Sequence, residues 1–144
     1  MADQIDQHQN ELEPAECIRL IAEAGAAFHV GRVAVISTEG RVSIYPVGFV
    51  VDGDFVLFRT HDGEIADFVR REGKLTLEVD ERNTTTWVGW SVVVRGSAEF
   101  ITDPDVVWKL NQIPIQPWGG KHHWVRLSLD DISGRRIMWP NGPR

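Results

Sequence analysis

The sequence predicts a mainly β protein, a small β-barrel of six to seven antiparallel strands with a few short helices. Segments in which apolar and polar residues alternate recur along the chain, as in strands with one buried face. Short turns separate these segments, such as the hairpin signal Asp52-Gly53. The helical segments among them are short, and many strands joined by tight turns are typical of a small barrel.

A first helix is predicted from Pro14, because proline is favoured at the first helical position. Apolar residues then recur every three or four positions, as on one face of a helix, at Cys17, Ile18, Ile21, Gly25 and Phe28. Residues 32–38, 41–51 and 55–60 are β-rich, which predicts three strands joined by short turns.

A second short helix is predicted at residues 64–72. Gly73 should end it, since glycine readily adopts the left-handed conformation that follows a helix. Alternation then predicts a strand at residues 74–81 and a longer strand at residues 87–100, which Gly96 is expected to bend.

A third helix is predicted from Pro104, with Thr102 or Asp103 as its cap. Residues 113–120 contain two prolines and two glycines, which predicts a loop. Two further strands, at residues 124–129 and 132–139, complete the predicted barrel.

The chain has 144 residues, which fits one domain with a real core. We expect this domain to span residues 13–139, between a flexible N-terminal tail at 1–12 and a C-terminal tail at 140–144. The net charge of −6 argues against nucleic acid or an anionic membrane as a partner. Three features favour a cytoplasmic location. The chain has a single cysteine and a polar N-terminus, and it contains no apolar run of the ~20 residues that a membrane helix needs.

Several common catalytic motifs are absent, namely the dinucleotide-binding glycine fingerprint, the phosphate-binding P-loop and the nucleophile elbow. Cys17 lies on the apolar face of the first helix and is interpreted as an inert core thiol. No metal site is predicted, because no pair of the five histidines has the helical spacing of metal ligands and His122-His123 is interpreted as a solvated loop start, with a ligand pair as the alternative. The acidic pairs Asp80-Glu81 and Asp130-Asp131 are interpreted as turn residues without an acid–base role.

A group of polar residues ends the predicted third strand. Arg59, Thr60 and His61 come last in this strand, and Gly63 then introduces the second helix. A guanidinium, a hydroxyl and the free amide groups of a helix N-terminus are favourable partners for a phosphate. The sequence therefore predicts a phosphate site here, while a solvent-exposed strand-end arginine is the alternative interpretation of Arg59.

Two other segments offer groups that suit a flat cofactor ring. Pro46 and Val47 lie mid-strand, and Pro46 cannot donate to a strand ladder, which favours an edge or a kink that faces a ligand. Ser91 lies beside Trp90 on the long strand. Flavin-type cofactors need phosphate donors, small polar groups along the ring edge and a flat apolar wall. A place in the barrel core or an interface is the alternative for both Trp90 and Ser91.

The amino-acid sequences of several segments resemble those of one known protein family. These segments are the run 89–96 (Gly-Trp-Ser-Val-Val-Val-Arg-Gly), the run Trp124-Val125-Arg126 and the run 134–137 (Gly-Arg-Arg-Ile). With the turn after the third strand, they resemble the pyridoxamine 5'-phosphate oxidase-like family of flavin-binding split β-barrels. The resemblance covers residues 13–137 and implies an FMN-binding split barrel with six to seven antiparallel strands.

The resemblance also implies a cofactor and its contacts. The end of the third strand and the following turn hold the cofactor phosphate in this family, the second strand runs along the ring, and a polar side chain of the long strand reaches the ring or the phosphate tail. The implied cofactor is FMN or the deazaflavin F420. The predicted cofactor-binding residues are Pro46, Val47, Gly48, Arg59, Thr60, His61, Gly63, Trp90 and Ser91.

One departure from the family pattern affects this prediction. After the glycine, the family usually has a small hydroxyl residue and a lysine that face the phosphate, whereas this chain has Glu64 and Ile65. A carboxylate repels a phosphate, and the missing ammonium removes a charge-assisted hydrogen bond. Three outcomes remain open: weak FMN binding, F420 held by other contacts, or no cofactor.

Two classes of function are compatible with the sequence. One is a flavin- or F420-dependent oxidoreductase that acts on a small molecule; the other is a non-catalytic dimeric split barrel that binds, stores or senses a cofactor or another ligand. Oxidation of pyridoxamine phosphate itself is not expected, since only Arg135-Arg136 could form the second phosphate site. A homodimer is expected, because six tryptophans give more aromatic surface than a small barrel readily hides.

Overall fold

The computed structural model describes residues 10–115 and 122–138. Over these ranges the chain forms three helices and seven strands. The helices are α1 (Pro14–Ala26), α2 (Glu64–Glu72) and α3 (Pro104–Leu110). The strands are β1 (Val30–Ile36), β2 (Val42–Asp52), β3 (Phe55–His61), β4 (Lys74–Asn83), β5 (Val88–Ile101), β6 (His122–Ser128) and β7 (Ile132–Met138).

Six of the strands close into a barrel. The order of neighbours is β4-β1-β2-β3-β6-β5, and β4 pairs with β5 to complete the ring, while β7 adds to the free side of β5. Every pairing is antiparallel. The prediction of a mainly β, antiparallel barrel with six to seven strands and short helices is confirmed.

Alternating residues of the strands fill the barrel. The inward positions of β1 and β4, such as Val33 and Leu77, are fully buried, whereas their neighbours face outward. Helix α1 covers part of this core with Cys17 and Ile21, which are also fully buried. Cys17 therefore occupies the core position expected for an inert thiol.

A second, smaller core lies under α3. Leu110 and Ile115 pack there against Leu57 of β3 and Trp124 of β6. The segment from α3 to Ile115 is thus attached to the outside of β3 and β6, which becomes important for the site described below.

Single residues set several element ends. Gly73 follows α2 in the left-handed conformation, with φ 62°, as the sequence predicted. Asp103, and not Thr102, caps α3, because its side chain accepts hydrogen bonds from the amides of Asp105 and Val106. Helix α1 ends at Ala26, so the prediction that Phe28 lies on its apolar face is wrong: Phe28 is in the left-handed region and is 70% exposed.

The two termini are described only in part. Residues 10–12, which the sequence placed in a tail, pair with β7 through the bridge Glu11↔Arg135 and the hydrogen bond from the Leu12 amide to the Gly134 carbonyl. Residues 1–9, most of the predicted 113–120 loop and residues 139–144 lie outside the described ranges. In the part of the chain that is described, no helix is long and apolar enough to cross a membrane.

Candidate functional site

A cleft of about 420 Å³ opens where β2 and β3 separate. Their ladder contains four residue pairs and ends at Phe49↔Phe58. Beyond that point β2 continues to pair with β1 and β3 continues to pair with β6, but the two strands no longer pair with each other. Each strand therefore presents an open edge to the cleft, with backbone groups that need other partners.

The cleft contains most of the residues that the sequence predicted for a cofactor. Those on β2 and β3 line it together: Pro46, Val47, Gly48, Arg59, Thr60 and His61. Val30, Tyr45, Ile65 and Ile115 complete the lining, and of these four the sequence had singled out only Ile65, as the residue at a family position that faces the phosphate. Gly63 is the N-cap of α2 and lies behind His61, where an added Cβ atom would be 3.2 Å from His61 Nε2.

Trp90 and Ser91 do not line this cleft within the one chain described. Trp90 is buried at the end of the barrel beside Glu81 and Arg82. Ser91 faces outward on β5, opposite Asp80 on one side and Arg135 on the other. Their role in cofactor binding stays a prediction.

Arg59 is half-buried, in contrast to a solvated strand end. Its Nη2 donates to Asn111 Oδ1 at 2.8 Å and its Nη1 to the Ile115 carbonyl at 3.2 Å. Its guanidinium carbon lies 5.1 Å from the ring centre of Trp124, which is a cation–π distance. The alternative of an exposed arginine is therefore wrong.

Ile115 forms the wall of the cleft that faces β2. A Cβ atom added at Gly48 would lie 2.9 Å from Ile115 Cγ2, so any larger residue at position 48 would push the Ile115 side chain away from β2. Ile65 supplies a second apolar surface and is itself buried. The cleft thus combines apolar walls with open strand edges.

The two residues that depart from the family pattern play different parts. Glu64, the first residue of α2, accepts a hydrogen bond of 2.6 Å from the phenol of Tyr45. This bond, with a further one from Ser43, lowers the pKa of Glu64, and the same carboxylate raises the pKa of Tyr45. A permanent negative charge therefore stands at the N-terminus of α2, beside the cleft, while Ile65 offers no charge to oppose it.

Another polar cluster lies next to His61. Asp62 accepts hydrogen bonds from Arg70 at 2.7 Å and contacts His123 Nε2 at 2.9 Å, and these contacts, chiefly that of Arg70, lower the pKa of Asp62. His123 is thus engaged by a carboxylate. Among residues 10–115 and 122–138, no group of histidine, cysteine and acidic residues has the geometry to hold a metal ion.

A third charged cluster lies on the outer face of the barrel. Glu78 and Asp80 of β4 share Arg32, whose Nη1 is 3.3 and 3.1 Å from their carboxylate oxygens. Burial, and then the neighbouring Asp80 carboxylate, raise the pKa of Glu78 to about 7 despite the attraction of Arg32.

This raised pKa predicts a pH-dependent stability. The folded protein keeps the Glu78 proton to a higher pH than the unfolded chain does, so stability falls as the pH rises from about 4.5 to about 7. Because the side chain is 32% exposed, solvent screening should limit the loss to about 1–2 kcal/mol. Urea titrations at pH 5 and pH 8 should show a smaller pH difference for Glu78→Gln than for the parent. Equal pH differences in the two proteins would contradict this prediction, and Glu39→Gln in the exposed β1–β2 turn is the control.

The cleft fits a flavin-type cofactor by its chemistry. Its volume of about 420 Å³ lies within the usual range of ligand pockets, about 300–1,000 Å³. Val47, Ile65 and Ile115 can cover the faces of a flat ring, and the open edges of β2 and β3 can bond to its polar rim. Arg59 and Thr60 bring a guanidinium and a hydroxyl to the lining of the cleft, which are groups that suit a phosphate, whereas the nearby Glu64 carboxylate repels one.

Some residues that line the cleft could have been predicted from the sequence, and others could not. Tyr45 stands two positions before Val47 on the same strand, so strand alternation alone would have placed both on one face. No comparable signal marks Ile115 or Asn111, because their place depends on how α3 packs on Trp124.

Comparisons with known sequences place this chain beside one family. A family model described as pyridoxamine 5'-phosphate oxidase matches residues 13–136. A protein of Mycobacterium tuberculosis whose function is uncharacterised is 30% identical over 96 residues, which cover 65% of this chain and 86% of that protein.

Solved structures with the same fold cover almost the whole domain. A Corynebacterium glutamicum protein provisionally named a pyridoxamine 5'-phosphate oxidase has a TM-score of 0.74 and 27% identity, over 90% of this chain and 98% of that chain. An FAD-binding protein from Mycobacterium smegmatis has a TM-score of 0.69 and 29% identity, over 90% of this chain and 98% of that chain.

Proposed function

Because this chain belongs to the pyridoxamine 5'-phosphate oxidase family, we propose that it binds a flavin or deazaflavin in the cleft between β2 and β3 and acts as an oxidoreductase on a small molecule. One observation carries the proposal: the two strands separate after Phe49↔Phe58 and leave open edges around a cleft that also contains Arg59 and Thr60. This arrangement provides the rim contacts, apolar walls and phosphate donors that such a cofactor needs.

The protein's own residues would bind and orient the cofactor. Arg59 and Thr60 would hold its phosphate, the edge at residues 46–48 would bond to the ring rim, and Ile65 and Ile115 would cover the ring. When bound, a flavin supplies the hydride and electron transfer that amino-acid side chains cannot perform. A small-molecule substrate and a cytoplasmic location belong to the same proposal and are supported by the net charge of −6 and the single cysteine.

FMN, F420 and FAD are the candidate cofactors. FMN and F420 follow from the resemblance in sequence, and FAD is added because the similar Mycobacterium smegmatis protein binds it. Glu64 disfavours the doubly charged phosphate of FMN more than the singly charged phosphodiester of F420, whereas the diphosphate of FAD carries two negative charges, as FMN does. Direct titration with each of the three cofactors identifies the one that the protein binds.

Titration of the purified protein with FMN, FAD, F420 and riboflavin tests this function. Binding in the cleft should shift the visible absorption band of at least one of them, and Gly48→Val, which blocks the space at Ile115, should abolish the shift. The same substitution at Gly53, in the β2–β3 turn, is less suited as a control because its positive φ adds strain; Val106→Ala on α3 is the better control. A protein that binds none of the four ligands would contradict the proposal.

The second candidate is a non-catalytic barrel that binds, stores or senses the cofactor. The close contact of Ile115 with Gly48 favours it, because this wall leaves less open space beside a bound ring for a substrate. The reoxidation rate of the reduced, bound cofactor separates the two candidates. In an oxidoreductase, added electron acceptors should reoxidise the bound cofactor faster than the free cofactor. In a carrier, they should reoxidise the bound cofactor more slowly than the free one.

A homodimer is part of the same proposal. The outer face of β1 and β2 exposes an apolar strip that ends at the cleft, formed by Val30, Ile36, Val42 and Ile44. Exposed apolar strips of this kind favour association, and a second copy of the chain is the expected partner. Ser91 lies on the same outer face, so a dimer through this face is the arrangement that could bring Ser91 to a partner's cleft.

Ile44→Thr should weaken the dimer without disturbing the fold. Ile44 is 66% exposed, so its side chain adds little to the monomer, and the β-branched shape is kept. Less apolar burial should cost about 1 kcal/mol per dimer, or about a fivefold higher dissociation constant in sedimentation experiments. Val106→Thr on α3 is the matched control. A parent protein that stays at 16.3 kDa at micromolar concentration would refute the dimer.

A further inference from the structure

Arg59 is already engaged by the protein itself. Its terminal nitrogens donate to Asn111 Oδ1 and to the Ile115 carbonyl, at 2.8 and 3.2 Å, and its guanidinium stacks on Trp124. Its Nε is buried and has no hydrogen-bond partner in the described part of the chain. An anion that binds to Arg59 would therefore have to replace the partners that its guanidinium group already has.

Asn111 connects these contacts. Its Oδ1 also accepts a hydrogen bond of 2.9 Å from Trp124 Nε1, and its backbone amide donates into the last turn of α3. Four residues later, Ile115 forms the wall of the cleft against Gly48. The hydrogen bonds that hold Arg59 thus also hold this wall.

We propose that Asn111 is a positioning residue that competes with the anionic end of the ligand for Arg59, so that binding of the anion releases the cleft wall at Ile115. The inference rests on the proposed function, in which Arg59 binds a phosphate. A phosphate forms stronger, charge-assisted hydrogen bonds than the neutral oxygens of Asn111 and Ile115, so it can replace them. The segment from Asn111 to Ile115 then loses its bonds to β3, and anion binding and opening of the wall become coupled.

A comparison of FMN with riboflavin tests the competition, because riboflavin has the same ring and no phosphate. Asn111→Ala removes the competing acceptor and should tighten FMN binding by about threefold to tenfold, with less than about a twofold change for riboflavin. Asn111→Asp keeps an acceptor for Arg59 and Trp124 but adds a charge, and should weaken FMN binding by about threefold or more. Gln112→Ala is the matched control, since its side chain bonds to the Trp108 carbonyl on the same segment.

Hydrogen exchange provides a measurement that needs no flavin. Inorganic phosphate at millimolar concentration should speed amide exchange at residues 111–113 and 115 in the parent, because it displaces the contacts of this segment with Arg59. In Arg59→Leu the same amides should exchange faster from the start and should not respond to phosphate. Sodium chloride at equal ionic strength controls for general salt effects.

The possible results separate this inference from the proposed function. If riboflavin and FMN bind but Asn111→Ala binds FMN equally or more weakly, the inference is overturned and the function stands. If none of the four ligands binds, the function is overturned, and the phosphate-dependent exchange at residues 111–113 and 115 then decides the inference by itself. Exchange that ignores phosphate in the parent overturns it in either case.

Discussion

Replacement of Arg59 by alanine is expected to weaken FMN binding by about 1.5–3 kcal/mol, the usual contribution of a hydrogen bond to a charged group. Arg59 is the cationic residue in the described lining of the cleft, so its loss removes the positive charge that opposes Glu64. Riboflavin, which lacks the phosphate, should lose far less affinity. Isothermal titration with both ligands measures the difference.

The same change should also lower stability without any ligand. The side chain bonds to Asn111 and Ile115 and stacks on Trp124, so its removal should cost about 1–3 kcal/mol of unfolding free energy. The matched control is Arg126→Ala, because Arg126 also stacks on an aromatic ring and pairs with Glu99 but does not line the cleft. Equal FMN affinity in Arg59→Ala and the parent would remove the phosphate role of Arg59.

The local sequence was sufficient to predict the elements around the cleft. Two glycines mark the ends of α2. Gly63 directly precedes its first residue, and Gly73 adopts the left-handed conformation after its last residue. The β-rich run at residues 41–51 placed Pro46 and Val47 in the middle of β2, and the end of β3 at Arg59 and Thr60 followed from the turn and helix beyond it. These features depend on neighbours in sequence, which is why a single sequence reveals them.

The remaining features depend on contacts between distant segments. Asn111 and Ile115 reach Arg59 because α3 packs on Trp124, and no local pattern predicts that packing. Alternation shows that Ser91 and Val92 face opposite sides of β5. It does not show whether the face of β5 that carries Ser91 lies near the cleft. Phe28 continued the helical spacing of α1, yet the helix ended before it, where the chain turns into β1.

The double change Glu64→Ser and Ile65→Lys is expected to tighten FMN binding roughly tenfold or more, since each change should contribute about 1 kcal/mol beside the cleft. The serine removes a carboxylate at the N-terminus of α2 and frees the Tyr45 phenol that now donates to it. The lysine adds a positive charge beside the cleft, at a position where Ile65 is buried against it. Because the gain is electrostatic, it should shrink as salt concentration rises.

The matched control for this double change is Asp67→Ser, which removes the same charge from the first turn of α2. Asp67 pairs with Arg70 and does not line the cleft, so its replacement should leave FMN affinity almost unchanged. A buried lysine costs stability, and titrations must therefore be made well below the melting temperature of the variant. If the double variant binds FMN no more tightly than the parent at low salt, the phosphate does not lie at the turn between β3 and α2. Arg59 would then serve chiefly to hold Asn111 and Ile115 over the cleft.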